Sequence, residues 1–453
     1  MKYKTRDKYR KFITFLIGSF ILAVESGMFG YLWIKYYGLD LHMVTFKEAN
    51  YLMIILYAAI MYAFTSLFGG YKFGHLTIMD LIYSQGLGMA VSNVITYAVV
   101  CLTLREIVLP GRMLVLCLYD MLVIVIYNFL IYEIEMKLYP PRKLLLIYGD
   151  KGSSEMKNMF GARKDKFEIM DEVDYRNPIS YLKEKMELSD GVILHRVSAE
   201  KRDAILRICY ANDIRAYIVP NIGDIVVWSC GDTHLFDAPV LITKEHGLNY
   251  VEAFFKRFFD IILSLILIVL FSPIMMFITI AVKLYDGGPV IYKQVRVTKD
   301  GKKFNILKFR SMSVDSEKNG ARLAGKNDSR ITPVGHVIRN LHVDEIPQLI
   351  NVLKGDMSMV GPRPERPEII EKYIKDIPEF NYRLKVKAGL TGYSQVYGRY
   401  KTTAYNKLKM DILYIEHYSI ILDIKILLLT FKILFQKENS EGLDDGETRA
   451  KSS

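Results

Sequence analysis

Four long apolar stretches near the start of the chain constrain its fold more than any other feature. They cover residues of about 12–35, 51–68, 80–104 and 113–132. Each is close to the ~20 residues that a helix needs to cross a bilayer. Basic residues fill 1–11 and recur in 137–143, so the positive-inside rule places both flanks in the cytoplasm. We therefore expect four transmembrane helices, packed as a bundle, over residues 1–136.

Composition narrows the class of protein further. The chain is 51% hydrophobic with a net charge of +11. Because the apolar runs imply a membrane, we interpret the charge as attraction to anionic lipid or phosphate-bearing substrates, and we expect no nucleic-acid partner. The four cysteines are scattered without metal-ligand spacing, which is typical of a reducing compartment. Glu25 and Asp120 lie inside spans, either in polar contacts of the bundle or a dimer interface, or near a water-accessible end.

Residues 143–243 have the alternating pattern of a soluble α/β domain. The apolar periodicity predicts three strands and one helix, at 143–149, 191–195, 216–220 and 199–212 respectively. Such alternation is typical of a small parallel sheet of Rossmann type. The turn at 149–154 lacks a complete GxGxxG, which favours a degenerate structural or regulatory domain over a nucleotide site.

A second kind of membrane element follows at about 258–283, where an apolar run contains Ser272-Pro273 near its middle. Cations flank the run on both sides, so both ends are expected in the cytoplasm. A kinked fifth span is the alternative, but it would place everything after it outside. We therefore predict a re-entrant helix that breaks at Ser272-Pro273, with the serine hydroxyl satisfying a carbonyl that the proline frees.

The rest of the chain, to residue 435, has the features of a compact, mostly α domain beside the membrane. Strands at 290–297 and 304–309 predict a hairpin that carries Arg296, Lys308 and Arg310. These cations are either a solvated surface or contacts to lipid headgroups and phosphate. Further along, the pattern predicts a helix in 366–388, a flexible loop at 389–392, interfacial amphipathic helices in 411–435 and a polar tail at 436–453.

Residues 341–365 carry the densest chemistry, LHVDEIPQLINVLKGDMSMVGPRPE. Asp344 and Glu345 precede Pro347, which can open a helix. Arg363 stands between two prolines that restrict its backbone and so fix the direction of a bidentate phosphate donor. Carboxylates that hold Mg²⁺ together with a positioned arginine are typical of phosphoryl transfer.

This stretch resembles the catalytic core of the bacterial sugar transferases known as monotopic phosphoglycosyl transferases. The resemblance covers roughly 256–435 and rests on four blocks in the family's order: KRFFD at 256–260, KFRSM at 308–312, DEIPQLINVLKGDMSMVGPRPE at 344–365 and GLTGYSQVYGR at 389–399. Larger members of the family place four membrane helices and a degenerate Rossmann-like domain before the catalytic part, which here is 251–435. The layout of this chain looks similar.

The resemblance implies transfer of a sugar-1-phosphate from a UDP-sugar to undecaprenyl (polyprenyl) phosphate, with UMP as the other product. This is the first membrane step of exopolysaccharide, capsule or O-antigen synthesis. It also implies Mg²⁺ as cofactor, membrane lipids as partners, and a multi-pass protein of the bacterial cytoplasmic membrane with its catalytic domain on the cytoplasmic face. Asp344 would be the nucleophile, and Glu345 would orient the site or share the metal with Asp344. Phosphate and substrate binding would fall to Arg363, Lys308, Arg310, Arg339 and Arg296.

Some residues depart from the family's usual pattern, among them Asn340-Leu341-His342-Val343 before the acid pair, Ala388 and Tyr397. None of these changes removes a charged group. We read His342 as local variation more readily than as a catalytic base. Two alternatives remain open: a non-catalytic scaffold or sensor for polysaccharide assembly, and a glycosyltransferase that releases UDP. The sequence leaves the sugar and the oligomeric state open, a homodimer included.

Overall fold

The structure is a computed structural model that describes residues 2–37, 47–149, 153–235, 238–243, 248–313, 330–398 and 402–434. The chain divides into two compact units, Met1–Val219 and Pro220–Ser453, and each is described by itself. The polar tail and residues 150–152 of the turn at 149–154 lie outside the described residues.

The first unit begins with four long helices that match the four predicted stretches. They are α1 (Lys2–Leu32, continued by a π-helical turn at Trp33–Tyr37), α2 (Lys47–Leu67), α3 (Ile78–Leu104) and α4 (Gly111–Leu138). By length and composition all four are apolar enough to cross a membrane. They pack around a shared core that includes Phe29, Trp33, Tyr57, Met61 and Leu116.

Polar side chains lie inside this core. The carboxylate of Asp120 accepts hydrogen bonds from the Tyr57 hydroxyl at 3.3 Å and the Asn93 amide at 3.1 Å. Glu25 is buried as well. Of the two interpretations left open for these acids, the structure favours polar contact within the helix cluster for Asp120, because burial in an apolar interior requires hydrogen-bond partners.

The second half of the first unit is a parallel α/β layer, as predicted. Its elements are β1 (Arg142–Tyr148), α5 (Ser153–Gly161), β2 (Phe167–Asp174), α6 (Ile179–Glu187), β3 (Gly191–His195), α7 (Ala199–Ala211) and β4 (Arg215–Ile218). The strands are ordered β2-β1-β3-β4, all parallel. The predicted strands are confirmed, but β2 is an addition: as a half-exposed edge strand rich in acids, it lacks the continuous apolar run of β1 and β3.

The second unit contains a 3-10 helix at Pro378–Lys385, which carries Arg383, and the remaining α-helices and strands. They are α8 (Ile222–Ser229), β5 (Gly231–Leu235), β6 (Ala238–Ile242), α9 (Tyr250–Asp286), β7 (Ile291–Val297), β8 (Lys303–Phe309), α10 (Pro333–Asn340), α11 (Gln348–Lys354), β9 (Ser358–Val360), α12 (Pro367–Asp376), β10 (Gly389–Thr391), α13 (Tyr393–Tyr397), α14 (Ala404–Glu416) and α15 (Ile420–Leu434). The predicted hairpin is confirmed as antiparallel β7 and β8.

The prediction of a flexible loop at 389–392 is wrong. Its first three residues form β10, which pairs in parallel with β9. Glycine at 389 allows two backbone segments to approach closely, since a Cβ on Gly389 would lie 2.1 Å from the backbone nitrogen of Gly361. The segment therefore supports the loop that follows β9.

Helix α9 runs through the predicted break without interruption, with Pro273 inside it, and it is also long and apolar enough to cross a membrane. The Ser272 hydroxyl donates to the carbonyl of Val269 at 2.8 Å, which is the oxygen that Pro273 leaves without its helical donor. The predicted compensation by serine is thus confirmed. Both halves of α9 pack on the second unit: Arg257 donates to the carbonyls of Val352 and Leu353, and Val282 joins a buried cluster with Phe309 and Ile338.

Candidate active site

The adjacent acids lie on a short 3-10 turn, Val343–Glu345, between α10 and α11. Helix α10 starts at its Thr332 cap, whose hydroxyl accepts from the Gly335 N–H at 2.9 Å. His342 then adopts a left-handed conformation with φ of 55°, which ends the helical path and starts the turn. Histidine is one of the residue types found there more readily than most, so His342 serves the backbone bend. Helix α11 begins directly after Pro347, as predicted.

Glu345 is held between two cations. Its Oε1 accepts from Lys308 Nζ at 2.6 Å and from Arg363 Nη2 at 3.1 Å. Lys308 lies on β8 and Arg363 on the loop after β9, so the fold joins three segments that are far apart in the sequence. Charge-assisted bonds of this kind are short and directional. Glu345 thereby fixes the positions of both cations.

Asp344 has a different environment from its neighbour. It makes no hydrogen bond or ion pair with any residue that the structure describes. Burial raises the pKa of Asp344; Glu345 adds to the rise, while Lys308 and Arg339 oppose it. Burial alone would also raise the pKa of Glu345, but Arg363 and Lys308 outweigh it and hold that pKa well below its usual range. Two adjacent carboxylates whose pKa values move in opposite directions are typical of sites with divided chemical roles.

The loop that carries Arg363 is fixed through its backbone. Arg383 Nη2 donates to the carbonyl of Arg363 at 2.9 Å, and Arg296 Nη1 donates to the carbonyl of Pro364 at 3.0 Å. On the other side, the Gly389 N–H donates to the carbonyl of Pro362 at 2.9 Å. The backbone of all three residues of Pro362-Arg363-Pro364 is therefore tied to neighbouring segments.

Sequence reasoning missed Arg383. It lies 2.8 Å from Asp411 of α14, and the two side chains are only 5% and 1% exposed. Burial raises the pKa of Asp411, and the Arg383 guanidinium opposes that rise. A buried charge requires a partner of opposite sign, so the pair forms a fixed support beneath the Arg363 loop. Arg383 sits among several basic and apolar residues in a segment with no motif, and no local signal distinguishes it.

Asn351 was missed as well, and it supports Lys308. Its amide oxygen accepts from the Leu307 N–H at 3.0 Å, and its amide nitrogen donates to the carbonyl of Asn305 at 2.8 Å. The side chain is buried on α11 and bridges that helix to β8. The carboxylate of Asp356 accepts from the same amide at 3.3 Å, so this acid has a structural contact.

The remaining predicted residues divide into two groups. Arg339 donates to the Ser311 hydroxyl at 3.0 Å, and its charge acts on Asp344, so it belongs with the acid pair. Arg310 is buried in an ion pair with Asp286 at the end of α9, and Arg296 is engaged by the loop backbone and by Gln294 at 2.7 Å. Contact of Arg310 and Arg296 with a phosphate stays a prediction.

Part of the chain that includes these residues is similar to known proteins. The family model described as "Bacterial sugar transferase" matches residues 251–437. A UDP-N-acetylgalactosamine-undecaprenyl-phosphate N-acetylgalactosaminephosphotransferase of Aeromonas hydrophila is 43% identical over 187 residues, which cover 41% of this chain and 44% of that protein. A UDP-glucose:undecaprenyl-phosphate glucose-1-phosphate transferase of Klebsiella pneumoniae is 38% identical over 250 residues, 54% of this chain and 52% of that protein.

These two matches span about half the length of the relatives concerned. A shorter relative is covered almost entirely: an uncharacterized sugar transferase of Bacillus subtilis is 39% identical over 183 residues, which are 40% of this chain and 88% of the relative. The match includes the acid pair, the hairpin and the Arg363 loop, because all three lie within 251–437. The chain belongs to the bacterial sugar transferase family.

Proposed function

We propose that this protein transfers a sugar-1-phosphate from a UDP-sugar to undecaprenyl (polyprenyl) phosphate. In the first step a carboxylate oxygen of Asp344 attacks the phosphorus that bears the sugar, and the bond to the leaving UMP breaks. In the second step an oxygen of the lipid phosphate attacks the same phosphorus and releases Asp344. The products are UMP and a polyprenyl diphosphate-sugar, and a covalent carboxylate intermediate divides one displacement into two.

The observation that carries this proposal is the Lys308–Glu345–Arg363 arrangement beside Asp344. Two cations fixed by a shared carboxylate offer a prepared positive site for transferring phosphoryl oxygens. Asp344 has no protein partner to displace among the described residues, as an attacking group requires. Arg339 adds a third positive charge, which favours the ionised form of Asp344.

The same residues fit a bound Mg²⁺. Mg²⁺ prefers oxygen ligands and is commonly held by one or two carboxylates together with substrate phosphates and water. The described residues contain no group of three or more His, Cys, Asp or Glu side chains that could hold a metal ion, so Asp344 and Glu345 would bind Mg²⁺ together with substrate phosphates and water. Bound there, Mg²⁺ would neutralise diphosphate charge near an anionic nucleophile.

We further propose that α9 is re-entrant and that the catalytic region lies on the cytoplasmic face of the bacterial inner membrane, after a bundle of four spanning helices. A straight helix of 37 residues would be about 55 Å long, well beyond a hydrocarbon core of ~30 Å. What supports re-entry is that both halves of α9 pack on the same compact unit, at Val352 and at Phe309. We also propose that this protein contacts membrane lipids and forms a homodimer.

The test is nucleotide release by the purified full chain in vesicles with polyprenyl phosphate, Mg²⁺ and a panel of UDP-sugars. We expect UMP from the wild type, none from Asp344→Asn, and loss of activity with a chelator. The relatives named above act on glucose and N-acetylgalactosamine donors, so these open the panel. Release of UDP would replace this proposal with ordinary glycosyl transfer, and release of neither nucleotide would favour a non-catalytic scaffold.

A further inference from the structure

We propose that α8 is a lipid-contacting element and that Trp228 inserts into the membrane interface. The corner patch is the name used here for five exposed apolar side chains: Val227 and Trp228 of α8, Ile421 of α15, and Tyr250 and Phe254 of α9. Helix α8 precedes residues 251–437, so the proposal concerns a feature outside the part of the chain that the family model matches.

Helix α8 is amphipathic. Ile222 and Ile225 are buried in a cluster with Leu408 and Ile412 of α14. On the other side Val227 is exposed and Trp228 is 70% exposed, although tryptophan is the largest apolar side chain in the chain. A capping box of Asn221 and Asp224 fixes the start of the helix. The buried face and the capped start fix the position of α8, and Trp228 lies on its exposed face.

Contacts place Trp228 at the corner between α14 and α15. Its ring lies 5.3 Å from the His417 ring, and the neighbouring Ser229 hydroxyl lies 3.1 Å from Glu416. Ile421, in the first turn of α15, is exposed beside this corner. The next residue after His417 in the chain is Tyr418, whose ring lies 5.2 Å from Lys256 Nζ of α9. These contacts place the corner between α14 and α15 close to the first turns of α9.

Proximity to α9 points to lipid as the occupant. The first turns of α9 expose Tyr250, at 96%, and Phe254. From there an exposed apolar face runs along the helix, which includes Phe258, Ile262, Leu265, Val269 and Phe277. Aromatic residues at the end of a membrane helix mark the headgroup level, where tryptophan is enriched. A patch that extends this face is expected to meet the same bilayer, because apolar surface of this extent is otherwise rare on a protein in water.

The chain has 2 tryptophans, so fluorescence can isolate Trp228. The other is Trp33, which lies buried in the first unit. The Trp33→Phe protein is reconstituted as the full chain in phosphatidylcholine vesicles with or without bromine on the acyl chains. We expect blue-shifted emission that brominated lipid quenches and that aqueous iodide leaves largely intact. Because Trp33→Phe removes a hydrogen bond to Asn50, the difference in emission between wild type and Trp228→Phe gives the same signal without that change.

A matched control moves the reporter to water. Tyr210→Trp, in a chain with both native tryptophans changed to phenylalanine, places the indole at an exposed site on α7. That protein should be quenched by iodide and not by brominated lipid. If Trp228 behaves like this control, the proposal is overturned. Protection of Trp228 from both quenchers would overturn it as well, because protein would then cover the patch.

Discussion

Arg383 donates from Nη2 to the backbone carbonyl of Arg363 at 2.9 Å while it lies 2.8 Å from the carboxylate of Asp411. The guanidinium of Arg363 in turn binds Glu345 at 3.1 Å. A buried ion pair thus holds the backbone of the arginine that meets the acid pair. Its contribution to activity is expected to act through the position of Arg363.

Arg383→Gln should lower kcat/KM by about 10²-fold, since small misplacement of a positioning group can cost that much. In an Arg363→Ala background the same change should cost little further, because the group that Arg383 positions is already absent. Arg383→Lys should restore part of the activity that Arg383→Gln loses.

Since Arg383→Gln leaves Asp411 buried and unpaired, each variant is assayed well below its own Tm, and Arg383→Gln/Asp411→Asn serves as the charge-matched control. Equal losses in both backgrounds would contradict positioning through Arg363.

Activity should fall on the acid side at a pH above the usual aspartate range. The nucleophile must be ionised, and burial raises the pKa of Asp344, so the active fraction is lost as pH falls through that raised value. Lys308 lowers the pKa of Asp344; Lys308→Met should therefore move the acid limb of kcat/KM to higher pH as well as reduce the rate. The pH dependence of kcat/KM in wild type and Lys308→Met measures this shift. An acid limb at the same pH in both proteins would contradict its assignment to Asp344.

Both ends of α9 should face the same side of the membrane. In a chain without its native cysteines, Tyr250→Cys and Tyr285→Cys put thiols at exposed positions near the two ends. A membrane-impermeant maleimide should label both in inside-out vesicles and neither in right-side-out vesicles. Tyr210→Cys on α7, which we expect in the cytoplasm, provides the reference. Labelling of the two ends from opposite sides would make α9 a fifth span.

Asn351→Ala should destabilise the second unit by about 2–4 kcal/mol, because it leaves the Leu307 N–H and the Asn305 carbonyl without their partners near a buried interface. Thermal unfolding of the full chain checks the direction. Ser313→Ala, on the segment after β8, is a control that removes a side chain outside this bridge. Stability equal to wild type in Asn351→Ala would show that β8 needs no support from α11.

Local sequence determined a large part of this protein. Apolar length located α1 to α4 and α9, and short continuous apolar runs located β1 and β3. Strand and turn signals located the β7–β8 hairpin, and the order of charged motifs identified the acid pair and Arg363. Periodicity and motif spacing carry these features because they depend on neighbours along the chain. The compensation of Pro273 by Ser272 belongs here too, since it is confined to one helical turn.

Tertiary structure alone decided which charges meet. Lys308 and Arg363 join Glu345 from different segments, and Arg383 and Asn351 have roles set by partners that no local pattern indicates. The prediction of a flexible loop at 389–392 was wrong for the same reason. Gly389 permits close contact with Gly361, and this role follows only from the pairing of β9 with β10. The sequence thus determined which groups could carry phosphoryl chemistry, while long-range packing and the need to pair buried charges decided how they are arranged.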